Sequence, residues 1–476
     1  MTRDTGAQAS NGNLESSFTI NRATELDLGG EYETPTADQI SLFGSGFAKT
    51  MASNIFLSGL DPDFCARNTG FFTAPLEHRI HVTGYEVNHE NKSVEVRLSN
   101  NVTRMARLFQ SQGAITLPLD SGNIHFEPST ITPSLAVQHT CEWPDTLQHK
   151  VAAGINSNKL DEALDLAFAE EAMTAGFVVT HKGNIIAERY GENINKDTPL
   201  ESWSMGKSLT ATMLGILVQR GIYELDQAAP IPGWEHDARS EITIRNILNM
   251  SSGLRFRAMQ DPGYDPALGY PDHLYVYTGG INAFEFAASR KQQWLPGSVG
   301  RYRNCDPVLA NYLIRLAVEA RGEDYHAFPQ RSLFDKLGIS SFTLETDPYG
   351  NFLTQGYEFG SCRDWARLGN LYLNDGIWNN ERILPEGWVD FVSTLAPSWV
   401  ADKRPVYGGF FWINGDGTMP IPKECYFMAG AGNQKTIIIP SHDLVVVRIG
   451  HYGGFPKSTT HLNHALARLM EAIPAS

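Results

Sequence analysis

Ser204-Met205-Gly206-Lys207 heads an apolar, helix-like run and is the only Ser-x-x-Lys in the chain. A serine hydroxyl is a weak nucleophile at its own pKa and needs a base within hydrogen-bond reach. Residues i and i+3 share one face of a helix, so Lys207 is placed beside Ser204 one turn on. The following Leu209, Met213, Leu214, Ile216, Leu217 and Val218 predict a helix buried along most of its length. Burial disfavours an ammonium ion and lowers a lysine pKa, which a lysine base requires. A serine-lysine pair at this spacing also arises by chance, so its context has to carry the assignment.

Part of that context is Arg301-Tyr302-Arg303-Asn304, which follows the turn signal Trp294-Leu295-Pro296-Gly297 and precedes a helical run from Pro307 to Val318. Tyr302 and Asn304 are two apart and, in an extended loop, point the same way. A phenol beside a serine-lysine pair can relay a proton and then protonate a leaving group. An asparagine offers a donor and an acceptor to a bound amide or ester. The bland alternatives are a half-buried aromatic for Tyr302 and a helix N-cap for Asn304.

With both elements in place, the sequence resembles the serine hydrolases of the β-lactamase and penicillin-binding-protein fold, in the branch of class C-like esterases, D-peptidases and 6-aminohexanoate-dimer hydrolases. The resemblance runs from about 160 to 475. It is carried in order by Glu188-Arg189-Tyr190, Trp203 to Ser208, Ile242-Thr243-Ile244, Leu248 to Leu254, Tyr302-Arg303-Asn304, Phe334 to Gly338, Asp347 to Gly350 and Asp364 to Gly369. It implies that Ser204 is the acylated nucleophile, Lys207 its base and Tyr302 the proton relay.

The third motif departs from the family. Penicillin-handling members carry Lys-Thr-Gly or His-Thr-Gly on the strand lining the site, whereas here the stretch reads Phe427-Met428-Ala429-Gly430-Ala431-Gly432-Asn433-Gln434. Counted back from Pro440, Met428 takes the cationic position and Ala429 the hydroxyl one. A lysine there pairs with a substrate carboxylate through a charge-assisted hydrogen bond; a methionine cannot. Lys435-Thr436 sits inside the next strand with no glycine after it and is read as a decoy. Gly430 and Gly432 still permit close backbone approach to a substrate, and the N–H groups of Ser204 and Ala431 can form an oxyanion hole. The expected substrate is therefore a neutral amide or ester with an apolar acyl group.

The 476 residues are 42% hydrophobic and 19% charged, enough for one large or two moderate globular domains. A net charge of -15 argues against nucleic acid and anionic membrane surfaces as partners. No apolar stretch is long enough to span a bilayer, and the polar start has no apolar signal region. Five scattered cysteines, Cys65, Cys141, Cys305, Cys362 and Cys425, read as reduced thiols of a cytoplasmic protein. His78, His81 and His89 are expected on the surface rather than on a metal, and no cofactor is implied. Gly44 to Thr50 mimics a phosphate loop but has no glycine before its lysine and no strand leading in.

Residues 1–35 are polar and predict a flexible arm. Residues 36–150 form an extension with short strands at Ile80 to Tyr85, Val94 to Leu98 and Ala114 to Leu117. From 151 to 476 the chain predicts the hydrolase domain. A helix near Ser157 to Ala172 leads into a hairpin turning at His181-Lys182-Gly183-Asn184. Strands at Tyr407 to Ile413, Lys435 to Ile439 and Leu444 to Ile449 then precede a last helix from about Thr459 to Ala472. Strands from both chain ends imply an α/β (α+β) fold, an antiparallel sheet flanked by terminal helices with a large, mostly helical insertion. Together these features predict a serine amidase or esterase that forms an acyl-enzyme on Ser204 with a small-molecule substrate. A β-lactamase, a D-alanyl peptidase, a transacylase and a non-catalytic binding protein are the rivals, and a homo-oligomer is compatible with the sequence.

Overall fold

Lys182 and Gly183 take positive φ (49° and 75°), the conformation of a two-residue turn that suits a twisted hairpin. They join β5 (Thr174–His181) to β6 (Asn184–Tyr190). In the computed structural model, which describes residues 9–134 and 154–475 and side chains from Ser17 on, this hairpin closes the main sheet. Across the sheet the order is β12-β13-β14-β15-β5-β6, with β12 Trp412–Ile413, β13 Tyr426–Gly430, β14 Gln434–Ile439 and β15 Leu444–Gly450. β15 pairs antiparallel with β5, Leu444 opposite His181 through Gly450 opposite Thr174. The sheet thus unites the two ends of the domain, as the hairpin pattern implied. The expected strand from Tyr407 shrinks to Trp412–Ile413, because Phe410 takes a left-handed φ of 58° and bends the chain first.

Apolar residues alternate on β5, β14 and β15, and each face is covered differently. Helices Ser157–Ala167 and Lys457–Ala472 close one face over Phe177, Val179, Ile437, Leu444 and Val446. On the other face lies helix Cys362–Leu373, where Gly369 is needed because a Cβ would come within 2.6 Å of Val445. Between β6 and β12 the chain forms the expected helical insertion. It includes Met205–Gln219 and Cys305–Glu319 and the short strands β7 (Leu200–Glu201), β8 (Thr343–Leu344) and β9 (Glu358–Gly360), which pair in the order β7-β9-β8. A two-strand ribbon, β10 (Ile377–Trp378) and β11 (Glu381–Arg382), lies at its edge.

The extension is built from helix Gln39–Phe56 laid on a meander of β1 (Val82–Asn88), β2 (Ser93–Leu98), β3 (Thr103–Leu108) and β4 (Ala114–Thr116). The Gly44 to Thr50 stretch is the interior of that helix. Residues 1–35 were expected to form a free arm, yet their described part is helical over Ala9–Glu25 and is docked. Arg22 pairs with Asp402, Asp27 receives hydrogen bonds from Arg255 and Gln293, and the Tyr32 hydroxyl donates to Asp272 at 2.6 Å. Polar composition hid this docking because ion pairs rather than apolar burial make the contact. The four described cysteines are free and buried; Cys141 lies outside the described residues.

The extension is fastened to the insertion by a buried ion pair. Lys49 contacts the Glu345 carboxylate, which also accepts from Ser53 Oγ (2.9 Å) and the Ala114 amide (2.8 Å). Both charges are almost fully shielded from water, and the Lys49 ammonium lies 3.9 Å from the Tyr357 ring centroid. Removing one partner of a buried pair strands the other charge and costs about 3–5 kcal/mol. We expect Lys49→Ala to lower unfolding stability by that amount in denaturant titration; a loss no greater than a surface substitution gives would refute the tie.

Candidate active site

Serine at a helix N-cap ordinarily commits its Oγ to the backbone N–H two or three residues on. Ser204, the N-cap of Met205–Gln219, makes no such bond. Its Oγ instead receives the Lys207 ammonium at 2.9 Å, and Tyr302 stands beside it on the same cavity wall. The same Lys207 Nζ donates to the Gln355 carbonyl at 2.5 Å and lies 4.9 Å from the Tyr302 ring centroid. The i to i+3 spacing read from the sequence therefore brings Ser204 and Lys207 together, and tertiary packing adds Tyr302 to them.

Their surroundings divide the proton work. Burial pulls Lys207 down to about 7, while the neighbouring Glu358 carboxyl acts in the opposite sense. Burial also pushes the Tyr302 phenol up, with the nearby Ser204 hydroxyl acting in the opposite sense. Of the two, only Lys207 reaches a neutral, accepting form near neutral pH; Tyr302 stays a phenol able to pass a proton. Glu358 is itself raised by burial and accepts from the Gly206 amide at 3.1 Å, so a carboxyl group stands directly under the first turn of the helix. A Cβ on Gly206 would meet that carboxyl at 2.1 Å, which makes glycine the residue that fits between serine and lysine.

Ser204 and Tyr302 open on a cavity of about 830 Å³ walled by Phe72, Trp412, Ile413, Phe427, Ala429, Gly430 and Ala431. Gly430 ends β13 so close to the serine loop that a Cβ there would sit 2.0 Å from the Ser202 carbonyl oxygen. That approach carries the Ala431 amide to the neighbourhood of Ser204. Among the described residues neither the Ser204 nor the Ala431 N–H donates to a backbone carbonyl, so both remain open to a ligand oxygen. Gly432 does not line the cavity. It takes φ 81° in the turn that joins β13 to β14, and its carbonyl accepts from Arg448 at 2.9 Å.

Besides Gly432, three expectations are corrected. Asn304 is fully buried and absent from the cavity wall; its Nδ2 donates to the His273 carbonyl at 2.9 Å, and it stands at the N-cap position of Cys305–Glu319 without a side-chain capping bond. The chain has already entered helical geometry at Asn304 (φ -70°, ψ -10°), so the alternation of an extended loop no longer holds. Met428 is also fully buried, in the core, whereas its neighbours Phe427 and Ala429 face the cavity. Lys435, directly opposite Ala429 in the β13–β14 register, lines the same cavity. The lysine read as a decoy thus supplies a cation where the methionine cannot. Burial and the like charge of Arg448 lower it to about 8. Lys403, Arg404 and Asp416 complete the charged part of the wall. Pairing the two strands through their three-residue turn is the sequence signal that could have revealed Lys435.

The family model described as Beta-lactamase matches residues 165–469. An uncharacterized protein of Alkalihalophilus pseudofirmus is 21% identical over 342 residues, covering 65% of this chain and 91% of that protein. A 6-aminohexanoate-dimer hydrolase of Paenarthrobacter ureafaciens is 23% identical over 235 residues, 47% of this chain and 58% of the other. Among solved structures, EstCE1, a hydrolase with promiscuous acyltransferase activity, superposes with a TM-score of 0.52 at 14% identity, covering 65% of this chain and 98% of that one.

The contact at Gly430 can be probed directly. Adding one methyl group there must push β13 away from Ser202 and with it the Ala431 amide. Loss of one oxyanion donor costs about 10²–10³ in kcat. We expect Gly430→Ala to lose activity on that scale while keeping its thermal melt; near-normal kcat would show that the Ala431 amide takes no part.

Proposed function

Because the chain belongs to the Beta-lactamase family, we propose that it is a serine amidase or esterase in which Ser204 is acylated, Lys207 is the base and Tyr302 relays the proton. The observation that carries this reading is the 2.9 Å contact of Ser204 Oγ with a buried lysine held at about 7. Ser204 Oγ attacks the carbonyl carbon and passes its proton to Lys207. The N–H groups of Ser204 and Ala431 receive the developing oxyanion. Tyr302 hands the proton to the leaving amine or alcohol as the acyl–heteroatom bond breaks. Water then attacks the acyl-enzyme by the reverse relay and releases the acid. The acyltransferase activity named for EstCE1 keeps a second acceptor in play, since only the attacking group differs. The free, buried cysteines support a cytoplasmic setting. We expect a fluorophosphonate to label the wild-type chain on Ser204 and Ser204→Ala to be unlabelled and inactive; appreciable turnover by the alanine variant would reject the nucleophile.

The cavity favours a substrate other than the neutral one expected from Met428. Lys435 faces it, and Lys403 and Arg404 outnumber Asp416. We therefore assign it an amide or ester that carries an anionic group toward Lys435. A charge-assisted hydrogen bond is worth about 1.5–3 kcal/mol, or roughly ten- to a hundredfold in capture. Lys207 must be neutral to act, so kcat/KM on neutral esters should rise as pH climbs through about 7. Lys435 must be charged to hold an anion, so on a carboxylate-bearing ester the rate should rise through about 7 and fall again above about 8. Lys435→Met should abolish the alkaline fall and raise KM for the anionic ester alone. Equal KM changes on both esters would discard the anion site.

A further inference from the structure

We propose that the N-terminal extension, which precedes the family's matched region, is a working part of the active site. Its Phe72 is a positioning residue for Ser204 and a specificity-determining wall of the acyl cavity. This rests on the assignment of Ser204 as nucleophile.

The residue before the serine is the reason. Trp203 has φ 51°, a left-handed conformation disfavoured for any side chain with a Cβ and tolerated only where the surroundings hold it. Its indole is buried and enclosed by three rings: Phe72 at 5.4 Å and 67°, Tyr357 at 5.8 Å and 48°, and Tyr277 at 6.3 Å and 82°. The edge-to-face and tilted arrangements are those that aromatic rings favour. Two of the three are tied to the base: the Tyr277 hydroxyl donates at 2.8 Å to the Gln355 carbonyl, the same oxygen that receives Lys207 Nζ, and Tyr357 packs on Tyr277 at 4.7 Å. Phe72 is the member that comes from the extension, and also the member that reaches the cavity wall beside Ser204 and Tyr302.

The extension is built to hold that ring in place. The neighbouring Thr73 is fully buried, and its carbonyl lies against Gly46 of helix Gln39–Phe56, where a Cβ would come within 2.6 Å. The same helix sends Asn54 Nδ2 to the Glu201 carboxylate at 3.0 Å, two residues before Trp203. The serine loop is therefore gripped from the extension at two points, by a hydrogen bond at Glu201 and a ring at Trp203. A small displacement of the reacting atoms can cost about a hundredfold in rate, so this grip bears on the acylation step itself.

The test uses the full chain with Phe72→Ala and Phe72→Leu. Fluorophosphonate labelling of Ser204, hydrolysis of p-nitrophenyl esters from short to long acyl chains, and thermal melts are measured for each. Phe72→Ala is expected to label about 10- to 100-fold more slowly and to shift the chain-length optimum toward longer acyl groups while remaining folded. Phe72→Leu should restore most of the labelling rate, because it refills the volume, but keep a shifted optimum, because the flat ring is gone; if the alanine variant does not fold, this shift alone carries the comparison. Wild-type labelling rate with an unchanged chain-length profile in both variants would overturn the inference and leave the serine assignment standing. A loss equal for all esters and proportional to the unfolded fraction would also overturn it, by reducing Phe72 to packing. Absence of label on Ser204 in the wild type would remove the serine assignment and this inference with it.

Discussion

A lysine can serve as base at neutral pH only if water is kept from its ammonium, and the packing around Lys207, which we propose as the base, keeps water away. Lys207 is 1% exposed. Its Nζ is left with two oxygen partners, Ser204 Oγ and the Gln355 carbonyl, neither of them a formal negative charge. A carboxylate in that place would stabilise the charged form and return the pKa toward its ordinary value. The Glu358 carboxyl, buried beneath Gly206, is itself pushed up by burial, which disfavours the charge that would oppose the lowering of Lys207. Helix, β9 and the Gln355 turn must all pack tightly for this, which explains why the segment tolerates no side chain at Gly206.

The second constraint is where β13 stops. Gly430 brings the strand end against Ser202, and the turn through Gly432 and Asn433 (φ 81° and 65°) sends the chain back as β14 with Lys435 opposite Ala429. Side chains alternate along a strand, so a slip of one residue exchanges every cavity-facing position for a core-facing one. The Ala431 amide that we propose as an oxyanion donor, the apolar wall and the cation thus depend on one register. The identity of the residue at a motif position matters less here than the face it occupies: Met428 fills core, and the charge enters from the next strand.

These relations explain what could be read in advance. The proximity of Ser204, Lys207 and Tyr302 is legible in the sequence because the roles proposed for them restrict residue type and, for the first two, imply a helical spacing. The union of both chain ends in one sheet followed from the hairpin at Lys182-Gly183 and from the β14–β15 pair. Asn304 misled because two-residue alternation was applied to a chain already turning into a helix. Lys435 reads as a decoy in the sequence because no glycine follows Lys435-Thr436; its face is set instead by its pairing with Ala429. Phe72 lies more than a hundred residues before the serine and reaches it only through tertiary packing, which periodicity does not report. The ordered N-terminal segment was missed because ion pairs such as Arg22 with Asp402 fasten polar sequence that composition assigns to solvent.

The charge balance of the cavity runs against that of the whole molecule. A chain of net charge -15 repels anions at long range. At physiological ionic strength that repulsion decays over about 8 Å. Inside the cavity the nearest charges are therefore decisive, and there Lys403, Arg404 and Lys435 face a lone Asp416. Two of these cations are held by apolar groups rather than by carboxylates: Lys403 lies 4.2 Å from the Phe18 ring and Lys435 4.9 Å from Phe427. Such contacts leave the charge available to a ligand, whereas an ion pair would consume it. Because Phe18 belongs to the N-terminal helix, the same segment that composition assigned to solvent helps to set the field around the reactive serine. Acidic bulk and basic cavity are then compatible: the long-range field of the molecule and the short-range field of the cavity act over different distances, and the anion that we propose as ligand would feel the second once it lies within a few ångströms of Lys435.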